Sequence, residues 1–231
     1  MSDEKPEREA TVRAAPTVRV AIIDDHQLLV ASLAALLRAE AYDVDVPPLD
    51  EGLPARLLAS EPDVALLDLD LGAQGNGEEL LPALLVNGCR VLIVSGTSDE
   101  AVIGRCLARG AAGWLPKSAP LEQLLASVVA LAAGEEVLSA SERDRLLRIW
   151  RERREAESVV LAPFLHLSPR ERVVLGLLME GRSVDRIAEL SFVSSETVRT
   201  QVRAIRTKLG VTSQLEAVAM ATRAGWSAGA G

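Results

Sequence analysis

Aromatic residues are scarce in this chain, with one Tyr, two Phe and three Trp among 231 residues. A pocket that senses a small apolar molecule is lined with rings and aliphatic groups, so the scarcity argues against a small-molecule sensor. Cysteine is scarcer: Cys89 and Cys106 stand far apart and alone. Two isolated thiols exclude a disulfide framework and a cysteine metal site, and fit buried, reduced side chains in a reducing compartment. Long apolar runs are also missing, since each is short and interrupted by charge, which excludes a bilayer span and a membrane partner. Residues 1–17 mix acids and bases without an apolar centre, so they read as a flexible tail rather than a leader, and the protein as cytoplasmic.

Positive charge is in deficit overall, with a formal net charge of −8. Taken alone this disfavours nucleic acid, but the charge is unevenly spread. From His166 onward the chain has nine Lys/Arg and six acids, against sixteen and twenty-seven before it, giving +3 and −11. An acidic part joined to a mildly basic one implies different partners for each. The 48% hydrophobic share excludes disorder as a whole-chain description, and the length suits two domains of ~100–150 residues better than one.

From Val18 to Ala133, short β-branched or leucine-rich runs alternate with stretches of helical period. This pattern predicts a doubly wound α/β domain built on a five-stranded parallel sheet. Strands are expected at Val18–Ile23, Asp43–Val46, Val64–Leu67, Val91–Val94 and Gly113–Leu115. Helices are expected at Gln27–Ala39, Leu53–Ala59, Glu78–Leu85, Ala101–Ala108 and Leu121–Leu131. Residues 134–166 break the rhythm and read as a linker whose stretch Ser141–Glu157 forms an amphipathic helix. Its charges are a solvated face or, alternatively, belong to a partner-binding or dimer-forming helix. Residues 167–226 read as an all-α domain of four helices, followed by a flexible C-terminus at 227–231. Ser168-Pro169-Arg170-Glu171 is an N-cap, a proline at the first helical position and a capping glutamate. Helices follow to about Glu180, over Val184–Leu190, over Ser195–Leu209 up to Gly210, and over Gln214–Ala224.

Asp24, Asp25, Asp68 and Ser95 fall just past the carboxyl ends of predicted strands, where open α/β sheets bind ligands. Parallel pairing would gather Asp24, Asp25 and Asp68, and three close carboxylates call for a hard cation. Mg²⁺ suits two or three carboxylates plus waters. Asp68 could then serve as nucleophile toward a phosphoryl donor, with Lys117 supplying a second positive charge and Ser95 a hydrogen bond, beside an open Gly96.

Asp24-Asp25, Asp68, Ser95, Trp114 and Lys117 together resemble the receiver domain of two-component response regulators, over roughly Val18 to Ala133. The resemblance implies a flavodoxin-like fold and a phosphoryl group accepted by Asp68 from a sensor histidine kinase. It further implies that Ser95 and Trp114 move together as a switch, and that the backbone carbonyl of Asp70 joins Asp24, Asp25 and Asp68 on the metal. Two departures stand out: the run Asp68-Leu69-Asp70-Leu71-Gly72 places an extra carboxylate beside the phosphoacceptor, and Pro116 precedes Lys117 where many relatives have proline after it.

Beyond Leu167, two capped helices joined by a short turn can set the second into the major groove of DNA. Across Ser195–Leu209, Val198, Val202, Ile205 and Leu209 form the packing stripe, while Arg199, Thr200, Arg203 and Arg206 lie off it. The segment Leu167 to Ala224 closely resembles the NarL/LuxR-type DNA-binding domain. That likeness puts Arg199, Thr200 and Arg203 nearest the bases and Ser195, Arg206 and Lys208 at phosphates. Thr197 either caps its helix or touches the backbone. Gln201 and Val184-Asp185-Arg186 depart from the family pattern and bear on operator preference. Leu215, Val218 and Ala219 form either a dimer face or core packing.

The expected protein is therefore a transcription regulator rather than an enzyme. Its expected partners are DNA, a sensor histidine kinase, a second copy of the chain when activated and, as a candidate, RNA polymerase. A receiver that works without phosphorylation is the alternative, motivated by Asp70. A haloacid-dehalogenase-like phosphatase would share Asp68-Leu69-Asp70, but it wants Thr or Val at Gly72 and an acidic pair after Lys117.

Overall fold

The computed structural model describes residues 17–228. Of the expected tails, residues 1–16 and 229–231 lie outside the described residues. The chain divides into two compact units, residues 1–150 and 151–231.

In the first unit, five parallel strands β1 (Arg19–Ile23), β2 (Asp43–Asp45), β3 (Val64–Leu67), β4 (Arg90–Ser95) and β5 (Gly113–Pro116) run in the order β2-β1-β3-β4-β5. They alternate with α1 (Gln27–Ala39), α2 (Leu53–Ser60), α3 (Leu81–Leu85), α4 (Glu100–Ala108) and α5 (Leu121–Ala133). Side chains of successive strand residues point to opposite faces, so the strands serve two cores. Ala21, Ile23, Ala65, Leu67, Val91 and Ile93 meet residues of α2, α3 and α4 on one face. Val20, Ile22, Val64, Leu66, Leu92 and Val94 meet residues of α1 and α5 on the other. Burial on both faces explains why β1, β3 and β4 read as unbroken apolar runs. Cys89 and Cys106 are buried and unpaired, and burial pushes both thiols up to about 12.

The sheet order reverses between β1 and β3, and this sets the site. Ile23 pairs with Leu67, so Asp24 and Asp68 step off adjacent strands together. Ser95 pairs with Pro116 on the next pair out, which brings Lys117 to the same edge.

Helix α3 departs from expectation. Glu78–Leu85 reads as one helix, yet Gly77–Leu80 is a 3₁₀ turn and only Leu81–Leu85 is α-helical. Pro82 has no N–H to donate to the Glu78 carbonyl four residues back, and that carbonyl instead accepts from Leu81 in the tighter 3₁₀ pattern.

Helix α6 (Ala140–Leu165) is longer than the predicted Ser141–Glu157. Leu146 is fully buried in the first unit's core, with Leu147 packed beside it, and Phe164 belongs to the core of the second unit. Pro163 sits in the last turn, where it removes a single backbone bond.

The second unit packs α7 (Pro169–Met179), α8 (Val184–Leu190), α9 (Ser195–Leu209) and α10 (Gln214–Arg223) around Leu175, Ile187, Val198, Ile205 and Ala221. Phe164 stacks on Trp226 with ring centroids 5.5 Å apart. All four helices start at a serine N-cap, namely Ser168, Ser183, Ser194 and Ser213. Each hydroxyl accepts a backbone N–H that the helix itself cannot satisfy. Among the described residues no helix is long and apolar enough to cross a membrane.

Candidate functional site

The carboxyl edge of the sheet gathers oxygen and nitrogen ligands of Asp24, Asp25, His26 and Asp68 within 4.8 Å of one another. Lys117 Nζ donates to Asp24 Oδ1 at 2.9 Å and to Asp68 Oδ2 at 2.6 Å. Burial works to lower the Lys117 pKa, but the bonds to Asp24 and Asp68 together outweigh it and hold the ammonium above its ordinary range. Asp68 is buried, and its second oxygen, Oδ1, has no partner among the described residues. A carboxylate oxygen taken out of water without a partner is costly, and it marks a place where a ligand would bind.

Charge points the same way. Three carboxylates face one ammonium, which leaves two negative charges to balance, and the cluster stays acidic even if His26 is protonated. The donor set is oxygen-rich and hard, which fits a divalent cation of the magnesium class.

The cleft above Asp68 is lined by His26, Leu69, Asp70, Asn76, Ser95, Gly96, Thr97, Val102 and Lys117. The Thr97 amide donates to Ser95 Oγ at 3.3 Å. A Cβ on Gly96 would meet nothing within 4 Å, so the approach over Ser95 is open. Asp70 accepts from the Gly72 amide at 3.1 Å through one carboxylate oxygen. Gly72 has φ +59, and a Cβ there would lie 2.9 Å from Asp25 Oδ2, so this turn requires glycine. Trp114 is half-buried against the core cluster that α4 also supplies, and its indole Nε1 is buried without a hydrogen-bond partner among the described residues. All the residues expected in the acidic pocket thus stand at one sheet edge or directly behind it.

His26 was not expected there. Its Nδ1 lies 2.6 Å from Asp25 Oδ1 and 3.0 Å from both Asp24 Oδ1 and Lys117 Nζ. Lys117 acts to lower the imidazole pKa, whereas the bonds to Asp25 and Asp24 raise it, and the net direction is upward. Its position next to Asp25 was the available signal.

In the second unit, α9 buries Val198, Val202, Ile205 and Leu209 and turns Arg199, Thr200 and Arg203 outward. The Arg203 guanidinium is exposed and has no partner among the described residues, and Arg199 lies 3.7 Å from Glu196. The other expected contacts have partners within the protein. Thr197 stands 2.9 Å from Ser194 Oγ, Ser195 Oγ donates to Asp185 at 2.6 Å, and Arg206 donates to the Thr212 carbonyl. Lys208 Nζ donates to Glu171 Oε2 at 2.7 Å, and Glu171 also closes the capping box of α7. On α10, Ala217 and Ala221 supply the buried side, Val218 packs against the core, and Leu215 is exposed.

Comparison with known proteins finds relatives for both parts of the chain. Residues 20–129 match the response regulator receiver domain, and residues 165–221 match the bacterial regulatory proteins of the luxR family. The chain is 35% identical over 211 residues to the DNA-binding transcriptional activator DevR/DosR of Mycobacterium tuberculosis, covering 89% of this chain and 94% of that protein. It is 33% identical to the transcriptional regulatory protein NarL of the same species, covering 96% and 98%. To the nitrate/nitrite response regulator homologue of Haemophilus influenzae it is 31% identical, covering 88% and 95%.

Proposed function

The chain belongs to the two-component response regulators of the NarL/LuxR type, which regulate transcription, and from that premise we propose that phosphorylation of Asp68 by a sensor histidine kinase controls its binding to DNA. The observation that carries the assignment is Asp68 Oδ1, a buried carboxylate oxygen with no partner among the described residues, opening on a cleft that Lys117 and Ser95 also line.

In the transfer, Asp68 Oδ1 forms a bond to phosphorus as the donor's P–N bond breaks. The bonding pair returns to the donor imidazole, which takes up a proton. Lys117, already at hydrogen-bond distance from Asp68, offsets charge on the phosphoryl oxygens. Ser95 offers its hydroxyl to one of them, and Trp114 follows Ser95 into the new arrangement. Asp24, Asp25, Asp68 and the Asp70 carbonyl would hold Mg²⁺, which when bound supplies further neutralisation of the transferring group. The receiver is assigned to residues 18–133, the linker to 134–166 and the DNA-binding domain to 167–226.

Arg199, Thr200 and Arg203 are assigned to the base edges, with Ser195, Thr197 and Arg206 toward phosphates. Lys208 is assigned first to Glu171, and so to holding α9 against α7. A phosphorylated receiver dimerises, and two linked domains then gain operator affinity through effective concentration. The exposed Leu215 on α10 offers an apolar point for pairing. The chain works in the cytoplasm, where its kinase partner and DNA are found.

Intact-mass measurement after incubation with acetyl phosphate and Mg²⁺ tests the assignment. One phosphoryl mass on the wild type and none on Asp68→Asn is expected. No added mass on the wild type would favour a receiver that works without phosphorylation.

A further inference from the structure

Glu78 is the second residue of the 3₁₀ turn Gly77–Leu80 that follows the phosphoacceptor loop, and its side chain is only 5% exposed. Two arginines of the α4 segment enclose it. Arg105 Nε donates to Oε1 at 2.8 Å and Nη2 to Oε2 at 2.7 Å, while Arg109 Nη1 donates to Oε1 at 2.8 Å. Burial pushes the Glu78 carboxyl up, but the Arg105 and Arg109 bonds outweigh it and hold the group below the ordinary carboxylate range. The pair is therefore charged throughout the neutral range and bidentate on one side, a geometry that fixes direction as well as distance.

What this clamp holds is the loop beside Asp68. Gly77, the residue before Glu78, donates to the Leu69 carbonyl at 2.9 Å. It lies so close to the phosphoacceptor that a Cβ would stand 1.9 Å from the Asp68 carbonyl oxygen. Asn76, which lines the cleft, accepts from the Glu78 amide at 2.9 Å. On its other side α4 has no slack either. A Cβ on Gly104 would stand 2.2 Å from the Leu146 carbonyl of α6, and Arg145 donates to Glu100 at 2.9 Å.

We propose that Glu78 is a positioning residue for phosphoryl transfer at Asp68: through Arg105 and Arg109 it clamps loop 69–77 to α4, so that the atoms around the phosphoryl position and the helix move as one body. This rests on the reading of Asp68 as phosphoacceptor. The clamp also gives phosphorylation a direct mechanical route to α4 and to the N-terminal part of α6 packed on it. Without the clamp, the loop samples a wider range of positions, and fewer encounters with a donor are productive.

The test uses the full-length protein, acetyl phosphate and Mg²⁺, with intact mass followed over time at rising donor concentration. Glu78→Gln is expected to lower the rate at saturating donor about 10-fold with little change in the half-saturating concentration, because the charges that attract the donor remain. Glu78→Asp, shorter but still charged, is expected to recover part of the rate. Leu81→Ala, a core variant without the clamp's charge, serves as the stability control. If it slows transfer as much as Glu78→Gln at a matched loss of thermal stability, Glu78 is merely structural and the proposal fails. Should Glu78→Gln not fold, the double variant Glu78→Leu/Arg105→Leu leaves no unpaired buried carboxylate. Slow transfer in it supports the clamp and a wild-type rate overturns it. Failure of the wild type itself to gain mass would be a failure of the Asp68 reading, seen separately from any variant, and the clamp would fall with it.

Discussion

Lys208 Nζ lies 2.7 Å from Glu171 Oε2, joining the last turn of α9 to the first turn of α7 across 37 residues of sequence. The same carboxylate oxygen accepts from the Ser168 amide at 2.7 Å, so one side chain both caps α7 and anchors α9. A lysine in the basic helix of a DNA-binding domain reads as a phosphate contact. Its position relative to Glu171 makes it part of the scaffold that aims the helix.

The pH dependence of this anchor has a definite sign. Burial raises the Glu171 carboxyl, but Lys208 and Ser168 together bring it below the ordinary value of 4.5. A depressed folded-state pKa gives stability that is fully present above pH 4.5 and is lost as pH falls through the folded value. Glu171→Gln is expected to cost about 1 kcal/mol at pH 7, in line with loss of a capping interaction. The gap to wild type should narrow as pH falls below 4.5 and close once the folded-state carboxylate is protonated, as read by thermal unfolding.

Asp70 lines the cleft over Asp68, and one carboxylate oxygen is engaged by the Gly72 amide. The other oxygen remains to orient a water attacking the phosphoryl group. Asp70→Asn is therefore expected to lengthen the phosphoryl lifetime, by between about 3-fold and the roughly 100-fold that a full general base supplies. Decay of the phosphoryl mass after donor removal measures it, and equal lifetimes would remove Asp70 from the hydrolytic step.

Arg203 and Arg199, both assigned to DNA in the proposed function, stand in different surroundings. Arg203 is exposed with no partner among the described residues, whereas Arg199 stands beside Glu196. If Arg203 reads a base, Arg203→Ala costs about 1–3 kcal/mol on the preferred operator and relaxes specificity at one position. If it meets only phosphate, affinity falls evenly across sequences and the salt slope drops by about 1. Titration of wild type and variant at several salt concentrations, on selected and scrambled fragments, distinguishes them, and the first result is expected.

The sheet and its site were readable because burial on both faces leaves continuous apolar runs, and each run ends on a polar residue at the ligand-binding edge. Asp24, Asp68, Ser95 and Lys117 could be placed by order alone, and the strand register then brings them together. The helix opened by Ser168 declared its start through cap chemistry, whereas the caps at Ser183 and Ser194 came from the structure. Less was visible where a long-range contact decides. Glu78 at the start of an apparent helix looks like a solvated acid, since nothing local announces Arg105 and Arg109. The extension of α6 to Leu165 depends on Phe164 finding Trp226, a pairing across 62 positions. Pro82 was the one local cue to the broken α3 that the periodicity concealed.

The central claim is that the state of Asp68 sets the affinity of α9 for DNA. Its most direct measurement is titration of one operator fragment, selected by the protein from genomic DNA, with acetyl phosphate-treated and untreated wild type and with treated Asp68→Asn. Tighter binding by treated wild type, with treated Asp68→Asn matching the untreated protein, is the predicted result. Equal affinity and equal oligomeric state for all three, with the phosphoryl mass present on the wild type, would contradict it.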